Sequence, residues 1–198
     1  MKKTQVVAAI LAAVLAGPSH ALVLNFNDLA NPDPNNPAFV DPIHSGGYAV
    51  TTECGTVNCL AIWPSSSAFQ ADPGFAAVLN FFQGTPVSLF REDGLPFDFH
   101  SIDLEDGYNG GSSVTLNFTF DFDDGSSDTA QIILDTEVGL QTVLFDKLGV
   151  TKVTWTPVGN YAQFDNIEVT PVPEPQTYAL MLAGLAFVGW VVRRRVAR

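Results

Sequence analysis

The chain holds two cysteines, Cys54 and Cys59, spaced Cys-x4-Cys around Gly55, Thr56, Val57 and Asn58. The Cys-x2-Cys spacing of redox and zinc motifs is missing, and no histidine pair supplies further metal ligands. The spacing predicts a disulfide closing a small loop, which the chain-entropy model values at roughly 2–3 kcal/mol. Histidine is scarce: His44 is expected in a loop and His100 in a strand near a sheet edge. No His-Glu-x-x-His or Gly-x-Ser-x-Gly motif occurs. Carboxylates gather twice, as Asp103, Glu105 and Asp106, and as Asp121, Asp123, Asp124 and Asp128. A glycosidase needs two carboxyls across a cleft, about 5–9 Å apart, in different environments. Sequence neighbours on a turn rarely meet that demand. The chain therefore reads as non-catalytic, with a polysaccharide-active hydrolase, or a structural or adhesion protein that binds other proteins, as the alternatives.

Acid suits calcium better, because Ca²⁺ takes hard oxygen ligands from Asp, Asn and carbonyls. The run 121–128 departs from the EF-hand loop: Gly125 comes one position early and the twelfth-position Glu is absent. Aromatic rings offer a second chemistry, since apolar faces of sugars stack on them. Trp63, Tyr48, Tyr108 and Tyr161 qualify, with Trp63 and Tyr108 the ligand-binding expectation. Tyr108 sits in a glycine-rich segment, 107–111. Trp155 alternates with polar neighbours and is expected in the core.

The positioning elements read as strands. Leu22, Leu24 and Phe26 alternate; 31–37 is a Pro/Asn loop; 48–52 and 60–63 are short strand candidates; 76–82 is a buried strand or a helical turn. Segments 87–91 and 95–104 flank Glu92-Asp93-Gly94 and are expected to pair as a hairpin. Phe97, Phe99, Ile102 and Leu104 are expected to face the core. Val114, Leu116, Phe118, Phe120 and Phe122 alternate with Thr115, Asn117, Thr119 and Asp121, a strand with one wet side. Asp123-Asp124-Gly125-Ser126 then turns the chain into a return strand, 129–134. Strands over 142–145, 150–155 and 167–169 complete an all-β body, a β-sandwich of jelly-roll type.

Both ends differ from the body. Residues 1–21 read as a secretory signal peptide: Lys2 and Lys3, an apolar run over 6–16, then Gly17-Pro18 and Ser19-His20-Ala21, with cleavage after Ala21. Export places the cysteines in an oxidising compartment. At the other end, Pro173-Glu174-Pro175 precedes an uncharged stretch whose apolar heart is 178–192. Arg193, Arg194, Arg195 and Arg198 follow. Fifteen helical residues rise roughly 22 Å, short of the ~30 Å hydrocarbon core, so a single transmembrane helix here would need snorkelling arginines. Those arginines would stay cytoplasmic, leaving the body on the exported side. The chain thus divides into 1–21, a β-sandwich over 22–170 and a tail over 171–198.

That tail resembles the PEP-CTERM sorting signal of Gram-negative bacteria, which combines a Pro-Glu-Pro motif, a short transmembrane stretch and a basic cluster. The resemblance implies processing by an exosortase, a membrane cysteine protease. It also implies passage from a membrane-anchored precursor to the cell surface or an exopolysaccharide matrix, as in biofilms. The order of Asn25-Phe26-Asn27-Asp28, the 91–104 segment and Phe164-Asp165-Asn166-Ile167 resembles exported bacterial jelly-roll domains similar to carbohydrate-binding modules. In such modules a structural calcium joins the first and last strands, which points to Asp28 and Asp165.

The 198 residues carry a formal net charge of −12, with 15% charged and 46% hydrophobic residues. That apolar content excludes disorder, and the acidity excludes nucleic acid as a partner. The body keeps Arg91, Lys147 and Lys152 against twenty carboxylates, a net charge of about −17. The surplus must be solvated, screened or held by divalent cations.

Overall fold

Alternating apolar residues build long strands where one face can be buried, and 115–122 shows this most plainly. The computed structural model describes residues 20–54, 59–72, 77–80, 84–172 and 175–196. The signal-peptide run and the Pro173-Glu174 pair lie outside them. Twelve strands follow in order: β1 Leu22–Leu24, β2 Ala38–Phe39, β3 Ile43–Ser45, β4 Tyr48–Thr52, β5 Leu60–Ile62 and β6 Val78–Asn80 come first. β7 Val87–Arg91, β8 Phe97–Asp106, β9 Thr115–Phe122, β10 Ser127–Ile133, β11 Gln141–Val158 and β12 Ala162–Pro171 complete them. A 3₁₀ turn, Asn27–Leu29, follows β1. Residues Ala21–Pro171 form one compact unit.

β11 organises this unit. Its first half, Gln141 to Val150, pairs with β8. Its second half lies between β7 and β9. Register breaks at Lys147 and Val150 separate the halves, and Gly149 there has φ +69°, which a side chain would strain. One layer therefore runs β2-β5-β6-β12-β8-β11, with β1 on β12, and the other runs β3-β4-β7-β11-β9-β10. Rings meet between the layers: Trp155 with Phe164 at 5.0 Å, Tyr48 with Phe97 at 5.2 Å, and Phe99 with Phe120 at 6.0 Å. Such ring pairs add about 0.5–1.5 kcal/mol each beyond the area they bury.

The expected inward residues Phe97, Phe99, Ile102 and Leu104 are fully buried, as is Trp155. Several expectations need correction. Segments 87–91 and 95–104 form no hairpin: β7 and β8 belong to opposite layers and each pairs with β11. The reason is β11 itself, one bent 18-residue strand where two short ones were expected. His100 lies on β8, between β11 and β12, not near an edge; it bonds Asp146 and Thr170. His44 lies on β3 and pairs with Glu92. Of 76–82, the described 78–80 is strand.

Among the described residues outside that unit, one helix, α1, spans Pro175–Val196, with Leu182, Leu185, Phe187 and Trp190 exposed and the Arg194 guanidinium 3.9 Å over Trp190. No described helix is long and apolar enough to cross a membrane. The expected transmembrane span is thus met by a helix of sufficient length but not by a long apolar one. The apolar heart of 15 residues is too short.

Candidate functional site

Three loops at one end of the sandwich bring four rings together. Trp63 follows β5, Phe69 lies in the 64–70 turn, Tyr108 follows β8 and Tyr161 precedes β12. Trp63 lies 5.3 Å from Phe69 and 6.1 Å from Tyr108; Phe69 and Tyr108 are 5.7 Å apart, as are Tyr108 and Tyr161. Phe69 and Tyr108 stay 47% and 43% exposed, far more than rings recruited to a core. Trp63, Leu79, Tyr108 and Tyr161 line a cavity of about 120 Å³.

Buried amides hold this cradle. Gln163 donates to the carbonyls of Phe69 at 2.7 Å and Asp106 at 3.1 Å, and accepts from the Ala71 N–H. Gln70 donates to the Trp63 carbonyl, and Asn109 donates to those of Ala68 and Gln70. The Trp63 indole donates to the Gly107 carbonyl at 2.8 Å. Gln70 and Gln163 are fully buried, and amides bonded to the backbone of neighbouring loops in this way fix loop geometry. Gly107 allows the closure, since a Cβ there would sit 2.3 Å from the Tyr161 Cβ. Gly107→Ala should therefore push Tyr161 out of the cradle and lower the thermal midpoint. A shift of the tyrosine near-ultraviolet dichroism with an unchanged far-ultraviolet spectrum checks this.

Sequence reasoning nominated Trp63 and Tyr108, and the structure brings them together. It missed Phe69, which lies in a polar turn with no alternation to mark it. Tyr48, also considered, is 2% exposed and packs on Phe97 in the core.

The carboxylates divide sharply by environment. Lys147 pairs with Asp128 at 2.6 Å, Lys152 with Asp121 at 3.3 Å and Arg91 with Asp93 at 2.5 Å, all at partly or fully exposed carboxylates. Serine hydroxyls take further oxygens of Asp121 and Asp124. The 121–128 run is thus a solvated turn and not a calcium loop. Asp165 is fully buried. One oxygen accepts from the N–H groups of Phe26 and Asn166, while Oδ2 has no partner. Burial first, then the Asp72 charge, pushes its carboxyl up to about 7. Asp72 stands within bonding reach of Asp165, and Oδ1 of Asn27, next to Phe26, is also buried without a partner. Asp103 lies near but is engaged by Thr142 at 2.6 Å and Asn166 at 2.9 Å. Asp165, Asp72 and Asn27 are hard oxygen donors that suit a cation. Asp28, the other expected ligand, is exposed on the 3₁₀ turn. Its neighbour on that turn, Asn27, is the one whose side-chain oxygen is buried without a partner.

Cys54 and Cys59 are disulfide-bonded, with Cα atoms 6.3 Å apart. The Asp41 carboxyl lies beside both sulfurs. Joined sulfurs are not thiolate ligands, and Asp41 is engaged by the Thr51 and Thr52 hydroxyls, so the group does not read as a metal centre.

Past β12 the chain leaves the sheet at Pro171 and enters α1 at Pro175. Residues 171–195 match the model of the PEP-CTERM protein-sorting motif. The chain carries a PEP-CTERM sorting signal. This signal implies export and sorting to the cell surface, with processing by an exosortase. Comparison with curated proteins finds no relative. Among solved structures, the chain is similar to a DUF4465 family protein from Bacteroides ovatus at 9% identity and TM-score 0.44, covering 78% of this chain and all of that one. It is also similar to the family 32 carbohydrate-binding module of C. perfringens NanJ, solved with galactose, at 15% identity and TM-score 0.37, covering 61% and 91%. A third is the xylan-binding CBM22-1 domain of Paenibacillus barcinonensis Xyn10C, at 10% identity and TM-score 0.37, covering 80% and 99%.

Proposed function

We propose that this PEP-CTERM protein is a non-catalytic, exported polysaccharide-binding protein whose body is a β-sandwich of jelly-roll type. Its place is the cell surface or the extracellular matrix. The four-ring cradle carries the reading: half-exposed rings, held by buried amides around a cavity, give apolar sugar faces a preformed stacking surface. The charge of about −17 repels polyanions, so the ligand is a neutral glycan. Tail and body divide the work: the tail directs processing by an exosortase at the inner membrane, and the body retains the product in exopolysaccharide. Calcium is the structural ion of this reading, with Asp165 and Asp72 as its carboxylate donors, which no Lys or Arg pairs with.

A glycan array, run with calcium and with chelator, tests this. Neutral glycans are expected to bind, anionic ones to fail, and chelation to weaken binding. No binding to any glycan in calcium would sink the reading.

A further inference from the structure

Tyr108 forms one wall of the cradle, and its loop hangs on two consecutive buried carboxyls. Glu105 and Asp106 end β8, each 1% exposed. Asp106 accepts three backbone N–H groups: Tyr108 at 2.8 Å on Oδ1, and Gly110 at 3.0 Å and Ser112 at 2.6 Å on Oδ2. The Gly111 N–H faces the Glu105 carboxyl. Gly111 packs so closely on the Thr136 carbonyl that a Cβ would sit 2.5 Å from it. Oε2 of Glu105 has no partner.

We infer that Glu105 is a positioning residue that makes the cradle pH-sensitive: protonated, it holds the 107–112 loop closed with Tyr108 in place, and ionised, it drives the loop open. Two buried carboxylates side by side repel strongly. The charged group that acts on Glu105 is Asp106 on its own strand. From β12 its register partner is Gln163, an uncharged amide. The turn carries Tyr108, and the segment that packs on Gly111 carries Asp135 and Glu137, both exposed to solvent. The body's three cations pair elsewhere, with Asp93, Asp128 and Asp121. Burial first, then the Asp106 charge, pushes the Glu105 carboxyl up to about 7. Opening the loop admits water and returns Glu105 to an ordinary value, so rising pH favours the open form. The consequence for glycan affinity rests on the cradle being the glycan site. The loop movement does not.

Amide hydrogen exchange at Tyr108, Gly110 and Ser112 in the full chain, corrected for intrinsic rates, tests the inference. Wild-type exchange should rise about tenfold between pH 6 and 8, the ratio expected when closure moves the carboxyl from its usual value to near 7. Glu105→Gln, which mimics the protonated form, should stay protected at both values. A flat wild-type profile, or the same rise in E105Q, would overturn it. Should E105Q fail to fold, an NMR titration of the wild-type Glu105 carboxyl decides. A midpoint near 7 that tracks loop exchange supports the inference, and a midpoint near 4.5 overturns it. A loop that responds in a protein that binds no glycan would retire the proposed function and keep this device.

Discussion

Replacing Pro173-Glu174-Pro175 by three alanines is expected to leave the precursor in the inner membrane at full C-terminal length. The motif matches residues 171–195, and it begins where the body stops. Thr170 and Pro171 still pair with Asp98 and Phe97 on β8, and α1 starts at Pro175. Proline cannot donate a backbone hydrogen bond, so the order Pro173-Glu174-Pro175 disfavours strand and helix alike and suits recognition as an extended segment. Three alanines erase that order and favour helix instead. Intact mass and fractionation of both forms, from a host with an exosortase, check the outcome. Wild-type protein recovered from the surface with Arg198 attached would show that the tail is a plain anchor.

The body should lose stability as pH rises from 5 to 8. Glu105 and Asp165 are both pushed up to about 7, chiefly by burial, against ordinary values of 4.5 and 3.8. The folded protein keeps these protons to near neutrality, while the unfolded chain sheds them near pH 4. Stability is therefore fully present below about pH 4 for these groups and falls as pH climbs through 7. Asp33, Asp93, Asp124 and Asp128 are lowered, mainly by hydrogen bonds, and act oppositely, but only in stronger acid. For a body of this size the midpoint at pH 8 should sit roughly 5–10 °C below that at pH 5. Millimolar calcium at pH 8 should recover part of the loss by binding the folded state. Asp165→Asn should flatten the pH profile and abolish the calcium gain. If sodium at equal ionic strength reproduces the whole gain, the effect is screening and no specific site is needed.

The architecture was legible where one periodicity ruled a segment. The alternation from Val114 to Phe122 placed β9, its turn and β10, and the inward set of Phe97, Phe99, Ile102 and Leu104 was fully buried. Layer membership was not legible. Glu92-Asp93-Gly94 is a good turn sequence, yet the turn joins opposite layers, because pairing is decided by β11 some fifty residues later. Asp146 at φ +47° and Gly149 mark the bend in β11, but in sequence they resemble a turn between two strands. At the site, Trp63 and Tyr108 stood out as rings in polar loops. Phe69 did not, and neither did Gln70 and Gln163, because a buried glutamine and a solvated one look alike in sequence. The tail was the most legible part, since its signal lies in residue order alone.

Affinity electrophoresis through gels containing neutral polysaccharides tests the central claim most directly. The full wild-type chain should be retarded by at least one neutral polysaccharide. Trp63→Ala with Tyr108→Ala should migrate as in a polysaccharide-free gel, because each lost stacking ring costs about 1 kcal/mol or more. The double variant should keep its far-ultraviolet spectrum, since all twelve strands lie outside the two substituted positions. Retardation that persists in a folded double variant, or wild-type protein that no neutral polysaccharide slows, would contradict the account.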